Sequence, residues 1–457
     1  MPKRKFFYWL TISNFLYIIV LLILAGVTIS ALSGDNGILQ NAIKSKEENK
    51  KGEIIDSARI DINSTIAEKK GENLKTSEFE QILLKYGNLS NEENIFDRTL
   101  TTEEGYQIPV IDIYNGALAE GETGDGEVTL PETDDTKPYL PGKGSTILEG
   151  TNLENGLVVI DNKNNEWVWI EVPKSIYKNN EYNNGQEITS AEGEENLKKI
   201  ENVLQKYTED YKVAENYEDT YFDNCGLESK EKYNELKNKM LKSVFENGGF
   251  WIGRYEAGAD TYVKSKDDKT SRTVKIQKDK FTYNYVTIAE AQNLATELTT
   301  DSSKTSSLMF GIQWRLICKY IEEKKVTTED GQLIDYDMIK EDSLSIGNYS
   351  NSNFEITSQN AQKSTNEGES YEPIGKGETK AKGNEVLLTT GASDINKVLN
   401  IYDLAGNQFE YTLEKSEVNS ATVMGSSYRA GSESIGSVNY IETEYRKDNI
   451  TFRPTIF

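Results

Sequence analysis

Leu157-Val158-Val159-Ile160, then Asp161-Asn162-Lys163-Asn164-Asn165, then Trp167-Val168-Trp169-Ile170 follow one another in the middle of the chain. Two β-branched or aromatic runs on either side of five polar turn formers predict a β-hairpin. Downstream, Phe250-Trp251-Ile252-Gly253-Arg254-Tyr255-Glu256 reads as another strand. Thr287-x-x-Glu290 is a capping box that opens a helix, with Ile288, Ala291, Leu294, Ala295 and Leu298 on one face. Phe310, Trp314, Ile317, Cys318 and Ile321 recur at helical spacing and predict a second helix, with Cys318 as a packed core thiol. Strands and helices of this kind place residues 151–457 in an α+β domain.

Working outward, residues 174–245 are rich in Lys, Glu, Asn and Tyr. They are expected to be helical around 194–215 and 228–245 and to form an insertion on the domain surface. Residues 343–393, dominated by Ser, Asn, Gly and Glu, read as a second, irregular insertion. Residues 117–150 carry Glu-Gly-Glu-Thr-Gly-Asp-Gly and then Pro131, Pro138 and Pro141, which reads as an acidic Gly/Pro linker. Just before it Tyr106, Ile108 and Val110 alternate, and Pro109 demotes that run to an edge strand.

The N-terminal segment is of another kind. After Pro2-Lys3-Arg4-Lys5 no charge appears until Asp35, and a helix needs about 20 apolar residues to span a bilayer. Residues 6–32 are therefore expected to lie in a lipid bilayer as the core of an anchor over residues 1–34. The leading basic cluster keeps the N-terminus cytoplasmic and sends the C-terminal domain outside the cell. Ile55, Ala58, Ile62 and Ile66 continue an apolar stripe beyond the membrane, and Ser77-x-x-Glu80 caps a second short helix bearing Phe79, Ile82, Leu83 and Tyr86, with Gly87 as its stop. Residues 35–116 thus read as a helical stalk with a small head.

Charge and composition exclude several classes. Acidic residues outnumber basic ones by 75 to 51, a net charge of −24 that repels phosphate backbones, so nucleic acid is not an expected partner. There is no histidine, the commonest general base and metal ligand. Cys225 and Cys318 show no C-x-x-C spacing and are too few for a disulfide framework. No cofactor is expected, although Asp260 and Asp267-Asp268 offer oxygen ligands of the kind calcium takes.

Two resemblances add to this reading. Val20-Leu21-Leu22-Ile23-Leu24-Ala25-Gly26-Val27-Thr28-Ile29-Ser30-Ala31-Leu32-Ser33-Gly34, with Asp35-Asn36-Gly37-Ile38-Leu39, resembles the type IV pilin-like proteins of clostridia over residues 15–88. The resemblance implies pilin-like assembly, but Asn14-Phe15 stands where the processed Gly-Phe occurs and Ile19 where the assembly Glu occurs. Simple anchoring is the expectation that survives those departures. In the C-terminal half three segments stand in order: Gly249 to Glu256, Asp403-Leu404-Ala405-Gly406-Asn407-Gln408-Phe409-Glu410-Tyr411, and Gly425-Ser426-Ser427-Tyr428-Arg429 with Phe452-Arg453-Pro454. Together they resemble the formylglycine-generating enzyme (sulfatase-modifying factor) family, a variant of the C-type lectin fold. The resemblance implies that fold for residues 151–457. The family's oxidases hold copper with two cysteines after the third segment, and this chain has none after Cys318, so copper oxidase activity is not expected.

The residues of these segments also have a reading of their own. Gly406-Asn407 suits a positive-φ turn, which Asp403 can hold through side-chain-to-backbone bonds before the strand carrying Glu410. Arg453 and Arg254 are expected to pair with carboxylates where strands close near the termini. Between Val423 and Asn449, Tyr428, Arg429, Tyr440, Tyr445 and Arg446 stand among Ser, Gly and Asn, the composition of binding surfaces. They are the candidate ligand contacts, for an extracellular protein or glycan. The same region is where the variable proteins of diversity-generating retroelements, which share the lectin-like fold, carry their variation. A surface-displayed binding module is thus the leading expectation, with a minor pilin or a non-copper enzyme using Glu256 or Glu410 as alternatives.

Overall fold

The computed structural model describes residues 38–457 apart from 71–72, 93–94, 115–117, 119–127, 143, 214–216, 300, 302 and 417–419. The membrane span expected over residues 6–32 lies outside the described residues. Among those described, no helix is long and apolar enough to cross a membrane. The chain divides into two compact units, the first ending at residue 127 and the second running from Val128 to Phe457.

In the first unit α1 (Ile38–Glu68) is the long helix of the expected stalk. Its stripe is used as predicted: Ala58 and Ile62 are buried, and half-buried Ile55 and Ile66 pack beside them. They close on Phe79, Ile82 and Leu83 of α2 (Thr76–Leu83). That helix starts one residue before Ser77, so the Ser77 capping box does not form. Instead the Glu78 carboxylate accepts from the Lys75 N–H at 2.8 Å, and Glu80 pairs with Arg98 at 2.6 Å. Strands β1 (Asn88–Leu89), β2 (Thr99–Thr101) and β3 (Gln107–Pro109) form an antiparallel sheet in that order. Pro109 lies on edge strand β3, where its missing N–H leaves no ladder bond unmade.

The second unit is mixed α+β and is built on two sheets. The first contains β4 (Thr146–Ile147), β5 (Val158–Ile160), β6 (Glu166–Glu171) and β7 (Gly249–Gly253). The predicted hairpin is β5–β6, with Val158 opposite Val168 and Ile160 opposite Glu166. Trp167, Val168, Trp169 and Ile170 are all buried, because β6 has neighbours in the sheet on both sides and helices or loops on both faces. Before β7 in the chain lie the short α3 (Asn180–Asn183) and two longer helices, α4 (Glu194–Tyr207) and α5 (Lys230–Asn247). The two longer helices are not a surface insertion. Ile200, Val203 and Leu204 of α4 and Tyr233, Met240, Leu241 and Val244 of α5 belong to the main core, since both helices carry an apolar face broad enough to bury.

After β7 follow α6 (Ile288–Thr296), β8 (Ser306–Leu308) and α7 (Gly311–Lys324). The Thr287 capping box forms as predicted, with the Thr287 N–H donating to Glu290 Oε2 at 2.9 Å. The second sheet contains β9 (Phe409–Lys415), β10 (Ala421–Met424), β11 (Val438–Ile441) and β12 (Ile450–Phe452), in the order β11-β10-β9-β12, with β12 parallel to β9. The chain ends in β13 (Pro454–Ile456), which inserts between β7 and β8 of the first sheet. The final strand therefore lies inside the sheet, and the pairings that fix it span some 150 to 200 residues of sequence. Such contacts carry a large loop-closure cost.

Two boundary readings change. Residues 128–150, about two thirds of the expected linker, are part of the second unit: Tyr139 OH donates to the Ile456 carbonyl at 2.9 Å and Trp169 Nε1 to Thr136 Oγ1 at 2.8 Å. Prolines and acids hid this segment because, up to the short strand β4, it runs as irregular chain over tryptophan edges. Residues 343–393 are not wholly irregular: Phe354–Glu355 pairs with Thr379–Lys380, and Gln362–Ser364 lies between Glu372–Pro373 and Leu387–Leu388, around a small apolar cluster that includes Phe354, Ile356, Ile374 and Leu388.

Candidate functional site

The polar centre of the second unit lies where the chain passes from β12 to β13, from one sheet to the other. Arg453 is that single joining residue, and it is completely buried. Its guanidinium reaches both sheets: Nη1 donates to the Gly253 carbonyl on β7 at 2.9 Å, and Nε donates to Glu410 Oε2 on β9 at 2.9 Å. Nη2 donates to Glu410 Oε1 at 2.6 Å and to the Tyr402 carbonyl at 2.8 Å. A planar fork is the group that can hold a carboxylate bidentately and still serve two carbonyls. Arg254 likewise finds a carboxylate, although not its neighbour Glu256; its partner is Glu166 on β6, at 2.5 Å.

Gly406 and Asn407 do adopt positive φ, at 74° and 54°. Gly406 is required by a close approach as well: a Cβ there would sit 2.3 Å from the Asn348 carbonyl oxygen. The rest of the expected turn device is different. Asp403, itself at φ 58°, does not hold the turn; its Oδ2 accepts from the Gly391 N–H at 2.7 Å, tying a distant segment. The Asn407 side chain is a hub rather than a turn cap. Its Oδ1 accepts from Asn348 Nδ2 at 2.9 Å and from the Leu388 N–H at 3.1 Å, while Nδ2 donates to the Leu388 carbonyl at 3.2 Å and to Glu256.

Three buried carboxylates, Glu256, Asp403 and Glu410, thus meet at this centre, and of the three Glu410 is the one bonded to the guanidinium. Removal from water raises all three, since the charged form loses most on burial. Asp403 is pushed up to about 6. Glu256 goes well above the usual carboxylate range, first through burial and then through its neighbours Asp403 and Glu410.

The candidate ligand residues divide sharply. Tyr428 is buried, its hydroxyl donating to Asp448 Oδ2 at 2.7 Å, so it supports the surface from below and is not a contact. Arg429 is half-buried. Its Nε donates to Tyr428 OH at 3.2 Å and its Nη2 reaches both Asp448 and, at 2.9 Å, Glu367. Arg446 pairs with Glu290 of the α6 capping box and donates to the Tyr285 carbonyl at 3.3 Å. Tyr440, on β11, and Tyr445, in the turn after it, are each 48% exposed, and no other described aromatic side chain stands as far out of the fold. Lys447 lies 5.8 Å over the Tyr445 ring.

Sequence reasoning missed Asp448 and Glu367. Asp448 follows Arg446-Lys447 with nothing to mark it, and Glu367 comes from the 343–393 segment, so no local spacing could join either to Arg429. Two of the three acids offered for calcium are engaged elsewhere: Asp260 pairs with Lys275 and Lys280 at 2.5 and 2.8 Å, and Asp268 accepts from the Lys264 and Thr270 N–H groups. Among the described residues no group of three or more acids or cysteines is placed to hold a metal ion. Cys225 and Cys318 are both buried and unbridged, and burial pushes the Cys318 thiol up to about 12. Compared with known proteins, the chain matches no family model, no curated protein and no solved structure.

Proposed function

We propose that this chain is a membrane-anchored cell-surface binding protein, with the second unit as a C-type lectin-like domain that presents its ligand face outside the cell. The observation that carries the reading is the pair Tyr440 and Tyr445. In a unit whose other described aromatic residues are buried or half-buried, these two project from one edge strand and the turn that follows it. Exposed tyrosines on a rigid sheet give contact area at a low entropic cost, as binding surfaces require. Arg429 and Arg446 hold the floor of that face through Asp448, Glu367 and Glu290, which pre-organises it. The lectin-like reading is supported by the order of the three sequence segments, and by the way each of them contributes to one buried centre: Gly253 and Glu256 from the first, Asn407 and Glu410 from the second, Arg453 from the third. The anchoring reading is supported by the uncharged stretch from Phe6 to Leu32 behind a basic cluster.

The test uses intact cells producing the full chain. Protease added outside should release fragments of residues 128–457, and the cells should adhere to an array of immobilised glycans and extracellular proteins. The double variant Tyr440→Ala, Tyr445→Ala should be shaved equally and lose adhesion. Full protection from external protease, or adhesion unchanged in the double variant, would sink the reading.

A further inference from the structure

Strand β11 lies at one edge of the second sheet, and the ladder shows which of its backbone groups face outward. The Gly425 N–H donates to the Ser437 carbonyl at 3.1 Å, which makes 425 and 437 a hydrogen-bonded pair. Bonded and non-bonded pairs alternate along an antiparallel ladder. Continuing the register, Asn439 opposite Val423 and Ile441 opposite Ala421 are bonded to β10, whereas Val438 and Tyr440 turn their N–H and carbonyl groups away from the sheet. A local bond agrees with this phase: the Tyr440 N–H is taken by Oδ1 of the preceding Asn439, at 2.8 Å. Among the described residues, the Val438 N–H and the Val438 and Tyr440 carbonyls meet no partner.

The other edges of the two main sheets are closed or short. The Phe452 carbonyl of β12 accepts from the Ala257 N–H at 2.8 Å, the Leu308 N–H of β8 is taken by Gln292 Oε1 at 3.0 Å, and β4 has two residues. Natural edges are defended by charge, proline, bulges or shortness. β11 reads Val438-Asn439-Tyr440-Ile441, with neither charge nor proline, and its register with β10 is unbroken. Its defence is the Asn439 side chain, whose oxygen stands where the carbonyl of an added strand would.

Donors and acceptors that alternate at strand spacing are matched by another extended backbone. Val438 and Tyr440, two residues apart, share a face, so an added strand would set every second side chain against a half-buried valine and an exposed ring. Tyr445 stands in the turn beyond, its carbonyl held by the Tyr411 hydroxyl at 3.2 Å. Charge decides between occupants. A second copy would bring −24 against −24. Glu442 and Glu444, which follow β11, are exposed and outnumber Lys447, the exposed cation of the same turn. Both facts favour a different chain that carries positive charge.

We propose that β11 receives a basic, extended segment of a partner protein as an added strand, with Asn439 releasing the Tyr440 N–H to it. The proposal rests on the surface-binding reading and names the partner class for the same face: a polypeptide strand rather than a glycan. The experiment is titration calorimetry on the full chain in detergent, with the heptapeptide Lys-Thr-Val-Thr-Val-Thr-Lys as the probe. It should bind with a dissociation constant below about 1 mM, the weak end of specific association, and should slow amide hydrogen exchange across residues 437–442. The same peptide N-methylated at every internal residue keeps its side chains and loses its donors, so it should bind about tenfold more weakly or worse. The version with Glu in place of both Lys should also bind more weakly. Val438→Pro should abolish binding, because the outward N–H is lost while Asn439 and Ile441 keep their bonds to β10. Asn439→Ala should act the other way and tighten binding severalfold, since the Tyr440 N–H no longer has to leave its own neighbour. No binding of the probe, equal binding of the N-methylated peptide, or weaker binding by Asn439→Ala would overturn the added strand, as would adhesion carried by the glycans of the array alone. Failure here beside intact, tyrosine-dependent adhesion to proteins removes the strand alone, whereas peptide binding at β11 by a chain shielded from external protease removes the surface reading alone.

Discussion

The centre around Arg453 and the rim around Tyr440 belong to the same sheet, two strands apart, and they are made of opposite materials. At the centre, charged and amide side chains are withdrawn from water and bonded to groups far away in sequence, so each one specifies how segments meet. At the rim, two aromatic rings stand in water and touch little. The contrast teaches that the polar residues of the three sequence segments serve construction, whereas the exposed rings of the proposed ligand face lie outside those segments. Breaking the centre should cost stability; breaking the rim should cost binding alone.

The largest effect is expected at Arg453. Arg453→Met leaves Glu410 buried without its guanidinium and two carbonyls, Gly253 and Tyr402, without their donor. Losing one partner of a buried pair costs about 3–5 kcal/mol, to be read from urea or thermal unfolding. The double variant Arg453→Met, Glu410→Leu should recover a large part of that loss, because no uncompensated charge remains. A loss below about 1 kcal/mol in the single variant would show that the pair does not join the sheets. Gly406→Ala comes next, at about 1–3 kcal/mol, since the new Cβ must occupy positive φ and meets the Asn348 carbonyl at 2.3 Å.

A smaller effect, with a definite sign, comes from Glu256. Below its ordinary value near 4.5 the acid is protonated whether the chain is folded or not. As pH rises through 4.5 the unfolded chain releases the proton while the folded chain keeps it, so stability falls until the raised folded value is reached. Asp403 acts in the same direction between its ordinary 3.8 and about 6. Glu256→Gln mimics the neutral acid and can still accept from Asn407. It should therefore narrow the gap in melting temperature between pH 5 and pH 8, chiefly by raising the value at pH 8. An unchanged or widened gap would show that Glu256 is ionised in the folded chain.

The same contrast explains what could be foreseen. The β5–β6 hairpin, the Thr287 cap and the helical spacing around Cys318 are local patterns, so they were legible in residues that adjoin. So was the pairing of Arg453 with some carboxylate, because a lone buried arginine needs one. The identity of partners was not legible. Asn407 looked like a turn residue since Gly406-Asn407 is a turn dipeptide, yet its side chain serves Asn348, Leu388 and Glu256, which only the folded chain brings together. The helices of 194–247 looked like an insertion because their charged faces dominate the composition, while their apolar faces supply core. Tyr428 looked like a contact because composition cannot distinguish a ring standing on a surface from one standing under it.

That distinction gives the smallest stability effect and the sharpest test of the rim. Tyr440→Ala and Tyr445→Ala each remove a ring that is nearly half in water, so each should change unfolding free energy by no more than about 0.5 kcal/mol. Tyr428→Phe should cost more, about 1–3 kcal/mol, although it removes a single oxygen, because Asp448 and Arg429 then lose a buried partner. Adhesion of cells to the glycan and protein array should rank the other way. The two alanine variants should each weaken it, while Tyr428→Phe should spare it below the melting temperature. If Tyr428→Phe instead abolishes adhesion in a chain that remains folded, then the ligand reaches beneath the rim to the Asp448 layer, and the division between a structural centre and a recognising edge must be redrawn there.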